Sequence, residues 1–347
     1  GVSYVTIALA AVLPAFLFYV AVFFTLHLVA VRKALPLVPE SELPAWPDVL
    51  QFKRLTPIVA ALGGLFGGVL NGYSIQFAAF LGITLLLVSY LFFALLDRTP
   101  PRQILRSLLT GLEDAGKGMV IIGVLLAGAQ ILVAMLNLTG IGVTLSTLVV
   151  SVAGEQVFLV ALIVAVICLI MGMGIPTTAA YVLVAAVLAP ALTRIGIEPL
   201  VAHLFVFYFA TISVITPPVC IAVFVAAGIA KAGWLQVAGH AIRLGATTYV
   251  IPFLILAYPA LIGLGDAWDI TLAAARAMAF VLAFAGILGG ARLFGNRWLD
   301  SALLATTGLL ALVPNIALGL VGIAGLTGLY LWAWQSSRRV ALQGAEL

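Results

Sequence analysis

Charged residues make up only 8% of this 347-residue sequence, against roughly 25% in a soluble globular domain. So little charge excludes an aqueous surface around most of the chain. Cysteine is almost as scarce. Cys168 and Cys220 are the only two, both within apolar runs and without the spacing of a metal knuckle, so they read as small hydrophobic residues. No basic block is interleaved with aromatic residues, and the net charge of +4 therefore marks membrane orientation, not a nucleic-acid face. There is no Ser–His pair and no paired aspartate within the apolar segments, which excludes an intramembrane hydrolase. No basic region precedes the first apolar run after Gly1, so that run is not a signal peptide. The missing initiator Met fits a processed chain or part of a longer protein.

What fills the sequence instead is apolar: 64% hydrophobic residues and a mean hydropathy of +1.27. Lipid cannot satisfy an exposed backbone amide, so only helices or closed barrels cross a membrane. Apolar runs near 20 residues long, without strand-like alternation, select helices. The sequence thus predicts an all-α polytopic membrane protein.

Spans are expected over residues 4–31, 57–70, 75–96 and 117–136, then 241–262, 270–291, 299–313 and 316–334. Pro36, Pro39, Pro44 and Pro47 make an interfacial connector of residues 32–54. Asn71-Gly72 is a turn signal. The segment from Arg98 to Leu112 fits a helix along the membrane surface. A short apolar piece runs from the glycine-rich 137–142 to Glu155. Asn137-Leu-Thr139 matches a glycosylation acceptor by accident, since it abuts a helix end. Lys and Arg are absent from the loops at 71–74, 138–155, 263–269 and 313–315, which places these outside. Lys231, Arg243, Arg292, Arg297, Arg338 and Arg339 then fall inside.

Two segments break the pattern. Residues 157–192 are apolar but interrupted by Met171-Gly-Met-Gly-Ile-Pro-Thr-Thr178. Residues 200–231 are interrupted by Thr216-Pro-Pro218. A straight helix of the first segment's length would measure about 54 Å, against a hydrocarbon core of about 30 Å. The first segment therefore either folds back on itself or crosses with an unwound centre, and the loop charges agree with the positive-inside pattern only if the two segments together make one net crossing, one as a re-entrant hairpin and the other as a broken helix. Charge does not choose between the two arrangements.

The breaks supply candidate chemistry. Gly172, Gly174 and Pro176 hold an unwound turn, Thr177 and Thr178 add hydroxyls, and the following helix would begin with free amides. Pro217 and Pro218 remove two donors in succession and free carbonyls near Ser213 to Thr216, with the Thr211, Ser213 and Thr216 hydroxyls beside them. Neutral oxygens suit a hard ion such as Na⁺, and helix amino ends suit a carboxylate. Tyr181, one turn beyond Thr177, could line the same cavity, although a packing role is the plainer reading. His27, His203 and His240 read as surface or interfacial residues. Glu113 and Asp114 fit pairing with Lys117, and Arg276, within a span, needs a partner such as Asp269. Proline kinks and glycine contacts also serve packing alone, and under that reading the chain is a non-transport assembly or scaffold subunit. Two central breaks so close in sequence favour transport.

The stretches 172–183, Arg194-Ile-Gly-Ile-Glu-Pro199, 203–210, Ile215-Thr-Pro-Pro-Val219 and 226–230 resemble the large permease subunit of tripartite ATP-independent periplasmic (TRAP) transporters. The fused branch that works with TAXI-type solute-binding proteins is the most similar. The resemblance implies the second inverted repeat of an elevator-type transporter, with a hairpin at 157–192 and a broken helix at 200–231. Residues 1–96 would be N-terminal helices and connector, 97–262 the transport repeat, and 263–347 a C-terminal extension. It also implies sodium-coupled uptake of an organic anion in a bacterial inner membrane, with no cofactor beyond Na⁺ as coupling ion. The first repeat and the small membrane subunit are expected to lie outside this chain.

Overall fold

The computed structural model describes the backbone of residues 2–36, 39, 42–154 and 156–344, and their side chains except at 121, 125, 129, 137, 334 and 336–344. The expectations for Gly1, Glu155 and the side chains of Asn137, Arg338 and Arg339 lie outside the described residues.

Fifteen α-helices account for nearly all the regular structure among these residues. The first is α1 (Tyr4–Arg32), followed by the short α2 (Trp46–Val49) and a hairpin of α3 (Phe52–Leu70) and α4 (Ile75–Leu96). Next come α5 (Pro101–Thr139) and α6 (Ile141–Ala153). The pair α7 (Val157–Gly172) and α8 (Thr177–Arg194) is followed by α9 (Pro199–Ile212) and α10 (Ile221–Ala230). Then follow α11 (Trp234–Gly245), α12 (Ile251–Ala257), α13 (Ala267–Gly289), α14 (Arg297–Ala311) and α15 (Ile316–Gly344). Eight helical stretches of the described residues are long and apolar enough to cross a membrane. The chain is a multi-pass, all-α membrane protein.

Contacts divide it into two compact units. One comprises Gly1–Ala8 with Pro36–Val124, the other Leu9–Leu35 with Leu125–Leu347. In the first, α3 and α4 meet along small residues. A Cβ on Gly64 would sit 2.9 Å from the Gly82 backbone, and one on Gly68 would sit 2.8 Å from Ala78. With no aqueous hydrophobic drive between helices, such backbone approach supplies the dispersion contact that holds them. Lys53 and Asp97 close the open end of the hairpin as an ion pair.

The second unit has three main apolar cores. Phe205 and Phe209 of α9 pack with Val160 and Val164 of α7 and Leu188 and Leu192 of α8. Leu17 of α1 packs with Ile251 and Ile255 of α12 and Ala277 of α13. Leu304 and Leu326 join α14 and α15 to Ala279 and Ala283 of α13. Ser146 on α6 donates to the Val187 carbonyl at 2.6 Å, and Arg194 at the end of α8 donates to Thr147 at 2.7 Å.

Three expectations are corrected. The surface helix near 98–112 and the span over 117–136 are one continuous helix, α5, because Gly116 and Gly118 form no turn and no proline follows Pro101 within it. The span expected over 241–262 is present but shifted, as a candidate crossing at Trp234–Ala257 that tightens into a 3₁₀ turn at Ala246–Tyr249 between α11 and α12. Pro252 explains it, since the ring has no amide for the Thr248 carbonyl four residues back. Arg276 does not pair with Asp269. It is buried on α13, donates to the Pro314 carbonyl at 3.1 Å, and lies 5.7 Å from the centre of the Tyr258 ring. The Glu113–Lys117 pair is present at 2.7 Å, spaced one helical turn.

Candidate functional site

Both sequence interruptions are real breaks in helical hydrogen bonding. Helix α7 stops at Gly172, and Met173–Pro176 carry the chain to α8, with Gly174 at φ +75°. Only glycine takes that conformation without steric cost. No side chain caps α8, whose N-cap is Pro176. The first amides of a helix have no intrahelical acceptor, so those of Thr177, Thr178 and Ala179 point out of its amino end. Thr177 is half-buried and Thr178 exposed.

Helix α9 starts from Glu198, whose side chain accepts a hydrogen bond from the Val201 amide at 3.0 Å. It tightens into a 3₁₀ turn at Ser213–Ile215, then unwinds through Thr216, Pro217 and Pro218 before α10. The Pro217–Pro218 peptide is cis. Among the described residues the Ser213 carbonyl accepts the Thr216 amide at 3.1 Å, while no backbone amide outside the helices reaches the carbonyls of Val214, Ile215 or Thr216. Proline explains the first fully and the second in part: Pro217 and Pro218 stand where amides would reach the Val214 carbonyl, and Pro218 is one of the two residues placed to reach Ile215.

The hydroxyls around this gap all face helix carbonyls. Thr211 donates to Tyr208 at 2.7 Å, Ser213 to Ala210 at 2.7 Å, and Thr216 to Ile212 at 3.0 Å. A hydroxyl that spends its proton this way keeps lone pairs for another donor or a cation. Among the described residues no three His, Cys, Asp or Glu side chains form a metal-binding group. An ion held here would rest on neutral oxygens.

Tertiary packing brings the two breaks into contact. A Cβ on Gly172 would lie 2.5 Å from the Ser213 hydroxyl oxygen and 2.9 Å from its Cβ. A Cβ on Gly174 would lie 2.9 Å from Val219. Of the residues named from sequence for a Na⁺ site, Gly172 and Ser213 are in direct contact, while Gly174 meets Val219.

A third break joins them, one that sequence reasoning missed. Tyr249, in the 3₁₀ turn after α11, shares a hydrogen bond of 2.6 Å with Thr216. Gly245 approaches Ile215 so closely that a Cβ there would lie 2.7 Å from its Cδ1. Thr247 in the same turn is fully buried, and among the described residues its hydroxyl has no partner. The sequence signal was Pro252, a further proline within a membrane-length run.

Tyr181 lies apart from that contact, one turn along α8. Its hydroxyl is 3.1 Å from His203 Nδ1 on α9, and its ring meets Phe207 edge-on at 5.5 Å. His203, read from sequence as a surface residue, is thus the partner of a candidate substrate-binding side chain.

These features define a multi-pass membrane protein in which interrupted helices converge on a cluster of neutral oxygens. Residues 1–266 match the family described as tripartite ATP-independent periplasmic transporter, DctM component, and the chain belongs to that family. Its role is TRAP-type secondary transport across a membrane, within a multi-component system, and not catalysis. Helices α13 to α15 lie beyond the matched residues. No curated protein and no solved structure matched the chain.

Proposed function

We propose that this chain carries one half of the ion and solute site of a sodium-coupled permease for an organic carboxylate, in a bacterial inner membrane. The observation that carries the reading is the contact between the breaks at Gly172–Thr178 and Ser213–Pro218. Each break alone is compatible with a packing kink. Two breaks held against each other, with free carbonyls on one side and helix-end amides on the other, offer a cation and an anion adjacent places.

In this reading α7 and α8 form a re-entrant hairpin entering from outside, and α9 and α10 a broken membrane helix. At 16 residues, α7 is about 24 Å long, short of the hydrocarbon core. Na⁺ rests on backbone oxygens near Gly172 and Gly174 and on Thr211, Ser213 and Thr216. The solute carboxylate faces the amides of Thr177 and Thr178, with Tyr181 beside it. Residues 97–262 act as the second repeat of an elevator-type transport domain, flanked by N-terminal helices at 1–96 and the extension at 263–347. The first repeat and the small membrane subunit come from other segments, and a TAXI-type binding protein delivers the solute.

Reconstituted with those components, uptake should require both an inward Na⁺ gradient and the binding protein. Equal uptake in the absence of both rejects this function.

A further inference from the structure

Two arginines from other helices pack on the C-terminal end of α13. Arg243 of α11 donates to the Leu288 carbonyl through Nε at 2.9 Å and Nη2 at 2.6 Å. Arg32, the last residue of α1, packs on Gly290, where a Cβ would lie 2.6 Å from its Nη1. Arg292 follows two residues later in the chain. Arg32 and Arg292 border a groove of about 570 Å³ together with His27, and its remaining walls include Phe24, Leu28 and Tyr330. Among the described residues no Asp or Glu lines this groove, and neither Arg32 nor Arg292 forms an ion pair. The nearby Asp300 is fully buried and engaged elsewhere, accepting from the amides of Leu293 at 3.1 Å and Phe294 at 2.9 Å.

We propose that this groove is a binding site for an anionic phospholipid, its phosphodiester held by Arg32 and Arg292 and its first acyl carbons lying against Phe24, Leu28 and Tyr330. The volume lies within the roughly 300–1,000 Å³ of small-molecule sites. Guanidinium groups match phosphate oxygens bidentately. Location selects a lipid over a soluble anion. Helices α1 and α13 have 29 and 23 residues, both long enough to span, and both end at this groove. Those ends lie where lipid phosphates lie, and an excess of arginine marks the cytoplasmic leaflet. The apolar wall would gain nothing from free phosphate. The site stands apart from the transport breaks and, through α13 and α15, reaches beyond the family-matched residues.

The test is the melting temperature of the full chain in phosphatidylcholine vesicles with and without phosphatidylglycerol, alongside titration with inorganic phosphate in detergent. Wild type should melt higher with phosphatidylglycerol. The Arg32→Gln/Arg292→Gln variant should lose that increment and retain about tenfold less phosphatidylglycerol on purification, while Arg32→Lys/Arg292→Lys, which keeps the charge but not the fork, should fall between the two. Wild type that melts alike in the two vesicles, or a Gln variant that folds and retains as much lipid, overturns the site. Stabilisation by inorganic phosphate that matches phosphatidylglycerol overturns the lipid assignment. Should the Gln variant fail to fold, the wild-type comparison and the Lys variant decide.

Discussion

Gly172 lies against Ser213 so closely that the smallest side chain on the glycine would strike the serine hydroxyl, 2.5 Å from its oxygen. The contact joins the end of α7 to the 3₁₀ turn after α9, 41 residues later in the chain (213 − 172). The two breaks named from sequence therefore pack against each other.

That contact makes Gly172 intolerant of size. Gly172→Val should lower the melting temperature, with a cost of about 1–3 kcal/mol from overpacking, and should abolish uptake. Gly239→Ala on α11 is the control, because nothing lies within 4 Å of a Cβ there. It should be neutral or slightly stabilising. Thermal unfolding of both variants in the same detergent checks the pair.

The bond between Thr216 and Tyr249 ties the second break to the third. Thr216→Val and Tyr249→Phe should each destabilise, and the double variant should cost less than their sum by about 1 kcal/mol. Additive losses would mean the bond contributes nothing. In uptake assays Thr177→Ala combined with Thr216→Ala should raise the Na⁺ concentration needed for half-maximal rate. An unchanged Na⁺ dependence clears both hydroxyls of ion binding.

Tyr181→Phe keeps the edge-on contact with Phe207 and removes only the hydroxyl facing His203. Folding stability should change by less than about 1.5 kcal/mol, while KM for solute rises. His203→Ala should produce a similar KM shift if His203 acts by positioning the tyrosine. Kinetics of the two single variants and the double variant separate the effects.

Close helix approach in the first unit is equally sensitive. Gly82→Leu places a side chain where a Cβ would already lie 2.8 Å from the Ala61 carbonyl oxygen. The hairpin of α3 and α4 should open, which cysteine cross-linking between the two helices would register as a lost product.

Asp300, in the first turn of α14, accepts from the amides of Leu293 and Phe294 in the loop before it. Asp300→Asn leaves an NH₂ donor facing one of them, and the loss should be about 1–3 kcal/mol. Asp300→Ala should be at least as costly. Thermal unfolding ranks the two.

Membrane helices, their approximate limits and two of the three breaks were legible because each is a local property. A run such as 75–96 must become a helix in lipid whatever surrounds it, and Gly174, Pro176, Pro217 and Pro218 interrupt backbone bonding wherever they stand. The break before Pro252 obeys the same rule and was hidden only by the apolar run around it. Partnerships were different. That Gly172 meets Ser213, that Tyr249 reaches Thr216, that Arg276 turns to Pro314 and not to Asp269, and that Arg32 and Arg292 share a groove all depend on how helices far apart in the chain pack. Hydrophobicity sets which segments enter the bilayer, but it does not say which faces of those segments meet. Close packing and the pairing of a few polar groups choose the neighbours, and those choices exist only once the chain has folded.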